Sequence, residues 1–157
     1  MKDATPSEYF RLEEIQALLS FEKQQLSEVV YYVWHDQAEA GAQPHRFLYA
    51  IELVFDSGPS LLLSSGDDSE AIRVIQAEDL VDTAKKLQQI HGKAVIQRIP
   101  AGRQPQWRSV TGKSLENIRL ARNEAGLYLN DAVLLDFGEH RVLVKLNERE
   151  GLLAGEF

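Results

Sequence analysis

Cysteine is missing altogether from the 157 residues, which excludes disulfides, thiolate metal sites and cysteine nucleophiles and fits a reducing compartment. No apolar run approaches the roughly 18 residues that a membrane-spanning helix needs. The opening Met-Lys-Asp-Ala-Thr-Pro-Ser-Glu-Tyr-Phe holds no apolar core of a secretory signal. A cytoplasmic protein with no membrane partner is expected. Basic charge is also short: 17 Lys and Arg face 24 Asp and Glu, a net charge of −7, so a phosphate backbone is repelled at long range and nucleic acid is not an expected partner.

Catalytic signatures are lacking too. Thr111-Gly112-Lys113-Ser114 ends like a phosphate-binding loop, but the position five residues before the Gly-Lys pair, where that loop needs glycine, is Trp107. Neither Gly-x-Gly-x-x-Gly nor Gly-x-Ser-x-Gly occurs, so nothing points to a dinucleotide cofactor or an activated serine. No cofactor is expected, and the balance leans away from an enzyme.

What is present is an ordinary globular composition, 44% hydrophobic and 26% charged, at a length that fits one domain spanning 1–157. Within it one β unit is echoed. Leu26-Ser-Glu-Val29-Val-Tyr31 resembles Leu115-Glu-Asn-Ile118-Arg-Leu120 with one gap, and Ile51-Glu-Leu53-Val-Phe55 resembles Val133-Leu-Leu135-Asp-Phe137. Self-similarity of this kind constrains architecture far more than chemistry. The expected halves are 26–75 and 107–153, joined by a helix over 78–91 and a strand over 93–100.

Local patterns fill in the elements. Ser7 is placed to cap a helix over 8–23, with Leu12, Ile15, Leu18 and Leu19 on one face. β-branched and aromatic residues from Leu26 to His35 predict a strand, followed by Arg46–Phe55, Ser60–Ser64 and 71–75. Leu80, Ala84, Leu87 and His91 stripe the helix over 78–91, and Gly92 stands where a left-handed cap belongs. The second half is expected to hold strands at about 107–111, 114–122, 128–137 and 140–146, with a short last pairing from Gly151. The class is α+β, a mainly antiparallel sheet of two similar β-meander units with an N-terminal and a central helix packed on it.

Charge is unevenly placed. Residues 93–122 carry seven bases against Glu116 alone, a balance of +6 that leaves −13 for the remainder. Together with the aromatics of the first strand this nominates a contact surface of Tyr32, Trp34, Arg98, Arg103, Trp107, Arg108 and Lys113, suited to an anionic protein partner or to a second copy of the chain. The function expected is non-enzymatic binding of the adaptor, inhibitor or immunity type. The alternative is a small-molecule or metal-dependent site between sheet and helix, for which His35, Asp36 and His45 supply ligand-type groups around one loop. Asp67-Asp68-Ser69-Glu70 lacks the alternating oxygen ligands of a calcium loop and reads as a turn.

Overall fold

The structure is a computed structural model that describes residues 9–35, 46–65, 71–91, 95–147 and 149–157. Strand is its commonest element. In chain order the elements are α1 (Leu12–Leu19), β1 (Leu26–His35), β2 (Arg46–Phe55), β3 (Ser60–Ser64), β4 (Arg73–Ile75), α2 (Ala77–His91), β5 (Val95–Pro100), α3 (Pro105–Arg108), β6 (Asn117–Arg119), β7 (Ala132–Asp136), β8 (Arg141–Asn147) and β9 (Gly151–Glu156).

One continuous sheet curls over on itself. Its first layer runs β5-β1-β2-β3-β4 and its second β9-β8-β7-β6, with neighbours inside each layer antiparallel. Two joints connect the layers. At one, the Leu48 N–H donates to the Glu150 carbonyl (2.8 Å) and Leu48 pairs with Gly151 in parallel. At the other, Leu26 donates to the Lys113 carbonyl (3.0 Å), Gly112 to the Leu26 carbonyl (2.7 Å) and Leu115 to the Gln24 carbonyl (2.9 Å). Pairing therefore runs from β1 through β2, β9, β8 and β7 to β6, and residues 112–115 just before β6 return to the start of β1, so that β4 and β5 are the strands left at the margins.

Alternation along the strands explains the core. Val29, Tyr31 and Val33 of β1, Ile51, Leu53 and Phe55 of β2, and Leu61 and Leu63 of β3 point inward; Val133, Leu135, Val142, Val144 and Leu152 of the second layer meet them in one buried cluster. The opposite face of the first layer gathers Phe47, Tyr49 and Ala50 with Tyr32, Trp34, Ile75 and Ile96, and Leu80 of α2 packs there. Both faces of β1 are thus apolar because each has its own cover.

Several expectations change. The sheet is mixed, because the joint at Leu48 and Gly151 is parallel. No strand forms at 107–111: Gln104 is extended, Pro105 at the first helical position is preset for a helix, and α3 follows. α1 is shorter than 8–23, Ser7 lies outside the described residues, and Leu12 and Leu19 are exposed (69% and 46%) while Leu18 is fully buried. The helix uses a narrower stripe than its leucines suggest, because its inward side also carries the polar Glu14. Gly92 and the Asp67-Asp68-Ser69-Glu70 turn are outside the described residues as well.

The parallel joint rests on Gly151. Its φ is +83°, and a Cβ there would press into the Leu48 carbonyl. Gly151→Ala is expected to lose about 2 kcal/mol, from a left-handed backbone for a residue with a Cβ and the weakened bridge; chemical denaturation compared with wild type measures it.

Candidate interaction surface

β1 organises the surface through its outer edge. Its C-terminal half pairs with β5, the Ala101 N–H donates to the Val29 carbonyl (2.9 Å), and its N-terminal end pairs with residues 112–115. Between those pairings the chain makes an excursion through α3. Arg98, Arg103, Arg108 and Lys113 therefore all emerge along one side of one strand, and all four are exposed.

Arg98 sits opposite Tyr32 in the β1–β5 register. The Tyr32 hydroxyl donates to Glu52 Oε1 (2.7 Å), and its pKa is raised by burial and by that carboxylate, with Arg98 opposing. The Arg98 guanidinium is held charged first by its hydrogen bond to Tyr32 and further by Glu52 and Glu28. Arg108 Nη2 donates to the Arg103 carbonyl (3.0 Å), which fixes α3 against the turn before it. Beside Arg103 a cavity of about 450 Å³ is lined by Glu28, Val29, Pro100, Gly102 and Arg103.

Pairing phase decides what β5 shows to the outside. Since Ala101 and Val29 form a hydrogen-bonded pair, the backbone groups of Gln97 and Ile99 also face β1, whereas those of Ile96, Arg98 and Pro100 face away. Proline has no N–H to donate, and Pro100 stands at one of the outward positions, as proline in an edge strand must. Among the described residues β5 pairs only with β1.

The expected surface residues separate accordingly. Tyr32 and Arg98 come together, Arg103 and Arg108 are bonded to each other in the segment that follows β5, and Lys113 lies farther along at the Gly112 turn, where φ is +87°. Trp34 is instead half-buried, edge-on to Phe47 with ring centres 6.0 Å apart and planes at 78°, in the cluster that Leu80 of α2 joins. Trp107 is overturned as a surface residue: it is fully buried, and its Nε1–H donates to the Tyr31 hydroxyl at 2.7 Å. The side chain of His35, together with Asp36 and His45, lies outside the described residues. Among those described, no group of three His, Asp or Glu side chains is placed to hold a metal.

A feature that alternation could not disclose is a cleft of about 390 Å³ between the layers, walled by Tyr31, Val33, Leu48, Ile99, Leu152 and Ala154. At one end Tyr31 donates to Gln104 Oε1 (3.3 Å), and Gln106 Nε2 donates both to Gln104 Oε1 (2.9 Å) and to the Ala154 carbonyl (3.1 Å). Burial pushes the Tyr31 hydroxyl above its usual 10.0, against the Trp107 donor that favours the phenolate. A raised pKa means that the folded chain holds this proton more tightly than the unfolded chain. That contribution is complete below pH 10.0 and is lost as pH rises from there through the folded value. Urea midpoints are therefore expected to fall as pH rises above 10.0, and less steeply in Tyr31→Phe.

Comparison with known families, with curated proteins and with solved structures finds no match for this chain. No described helix is long and apolar enough to cross a membrane.

Proposed function

We propose that the chain is a non-catalytic binding protein of the adaptor, inhibitor or immunity kind, working in the cytoplasm, which docks a protein partner on the side formed by β5 and α3. The observation that carries this reading is the grouping of exposed Arg98, Arg103 and Arg108 along one strand of a chain whose net charge is −7. Separated charge of this kind steers a partner of opposite sign and fixes its orientation. The same reading takes 1–157 as one domain and its halves as copies of one β unit, since Val29 faces Leu53 as Ile118 faces Leu135. A second copy of the chain is the other occupant of this surface.

Charge reversal tests it. Arg98→Glu, Arg103→Glu and Arg108→Glu combined are expected to abolish partner capture from the native source while leaving the fold intact by near-ultraviolet circular dichroism. Retained capture defeats the reading. Light scattering at low and high salt tells a foreign partner, with a monomer at both, from self-pairing through the opposed charge blocks, with a salt-sensitive dimer.

The cleft between the layers favours a second reading, a small-ligand site between the sheet and α3. Its volume is within the range of ligand pockets, and its walls are apolar with a few convergent polar groups. Saturable fluorescence enhancement of N-phenyl-1-naphthylamine, lost in Ala154→Trp, is the result that reading requires.

A further inference from the structure

Resting on the protein-binding reading above, we propose that β5 receives its partner by strand addition and that the partner segment is an extended, acidic polypeptide. Among the described residues the outward N–H and C=O groups of Ile96 and Arg98, with the Pro100 carbonyl, have no strand partner and form a short rung on a sheet whose opposite side is blocked. On that opposite side β4 has its Val74 N–H bonded to Glu14 Oε2 at 2.9 Å. An extended chain laid along β5 completes the backbone pairing, which supplies affinity, while side chains at alternate positions supply selection.

Charge selects the occupant. A segment on β5 places a side chain beside the Arg98 guanidinium at cross-strand distance, where an opposite charge is favourable and a like charge is not. Past Pro100 the segment would run toward Arg103 and Arg108. Glu52 is engaged by Tyr32, and the cavity beside Arg103 is lined by Val29, Pro100 and Gly102 as well as by Glu28, so its apolar wall suits an apolar side chain of the segment while the arginines take its carboxylates. Pairing β5 with β5 of a second copy would set two arginine-bearing rims against each other, which disfavours the self-complex through this strand.

An alternating Val-Glu octapeptide and its Val-Lys counterpart are the probes, titrated into the full chain with amide hydrogen exchange followed by nuclear magnetic resonance. The Val-Glu peptide is expected to slow exchange at Ile96 and Arg98 and to bind less well as salt rises; the Val-Lys peptide is expected to do neither. Arg98→Pro removes an outward N–H while leaving the β1-facing groups of Gln97 and Ile99 in place, and is expected to weaken Val-Glu binding by about tenfold or more. Arg98→Ala keeps that N–H, so it loses affinity yet still shows the slowed Ile96 amide.

Failure of the Val-Glu peptide to bind, or binding with the Ile96 and Arg98 amides exchanging as in the free chain, overturns strand addition. The wild-type exchange readout needs no variant, so the result stands even where Arg98→Pro perturbs the strand. If partner capture is nevertheless lost in the arginine reversals, the contact surface survives and only its mode is wrong. If capture persists there, both fail.

Discussion

Trp107→Ala is expected to remove about 4 kcal/mol of stability, the range found when a buried large aromatic is truncated and its cavity does not collapse. For a chain of this length that is a fall in Tm of roughly 12 °C. Trp107 is the largest fully buried side chain, in the same cluster as Val29, Val110 and Leu115. It enters that cluster from a one-turn helix whose other ties are hydrogen bonds and the buried Val110 just after it. The Trp107 and Arg108 N–H groups donate to the Gln104 carbonyl (3.0 and 2.8 Å), and the Thr111 hydroxyl donates to the Trp107 carbonyl (2.8 Å). Without the indole the excursion from Gly102 to Thr111 loses its anchor, and Arg103 and Arg108 lose their fixed place beside β5.

Packing and hydrogen bonding at this residue can be separated. Trp107→Phe keeps most of the volume and deletes the Nε1–H that reaches Tyr31, so about 1 kcal/mol is expected; Tyr31→Phe strands the buried indole donor and costs about 1–3 kcal/mol. Made together, the two should cost less than their sum by about 1 kcal/mol, read from a cycle of urea denaturations. Strict additivity would mean that the 2.7 Å contact contributes nothing.

Much of the layout was legible because strands announce themselves locally. Alternation and β-branched content placed β1, β2 and β3 at their observed bounds, and Val142 and Val144 of β8 turn inward as their spacing requires. What could not be read depends on residues distant in sequence. Gly151 looks like any turn glycine until Leu48 of β2 is laid against it. The Trp107 segment carries strand-like residues, yet Pro105 and the demand for an indole in the core make it a helix. For the proposed surface, counting charge over 93–122 nominates Arg98, Arg103, Arg108 and Lys113, all of them exposed. The outward edge of β5 follows from strand order and pairing phase, which no local pattern contains. The cleft beside Tyr31 was hidden for the same reason, since its walls come from β1, β2, β5 and β9.

Glu14→Gln is the second large effect, about 3 kcal/mol, and it tests how the far side of the sheet is closed. Glu14 is almost fully buried, 3% exposed, at a position where α1 meets β4. Its Oε1 accepts from the Arg11 N–H (2.9 Å), from Arg11 Nε (3.3 Å) and from Arg73 Nη1 (2.9 Å), while Oε2 accepts from the Val74 N–H (2.9 Å). Every neighbour is a donor, so an amide group in place of one oxygen must turn its own N–H bonds toward another donor, and Arg73, little exposed, loses its carboxylate. Removing one partner of a buried ion pair typically costs about 3–5 kcal/mol, and retention of the other oxygen sets the lower figure here. Arg11 is exposed and adds little to the charge balance, so Arg11→Ala should cost under about 1 kcal/mol. The expected signature of Glu14→Gln is local as well as global. Val74 exchanges its amide hydrogen faster than the rest of the sheet, because the carboxylate is what satisfies the outer edge of β4. Equal loss of protection across all strands, with Val74 no different, would show that Glu14 supports the fold through α1 alone and does not guard that edge.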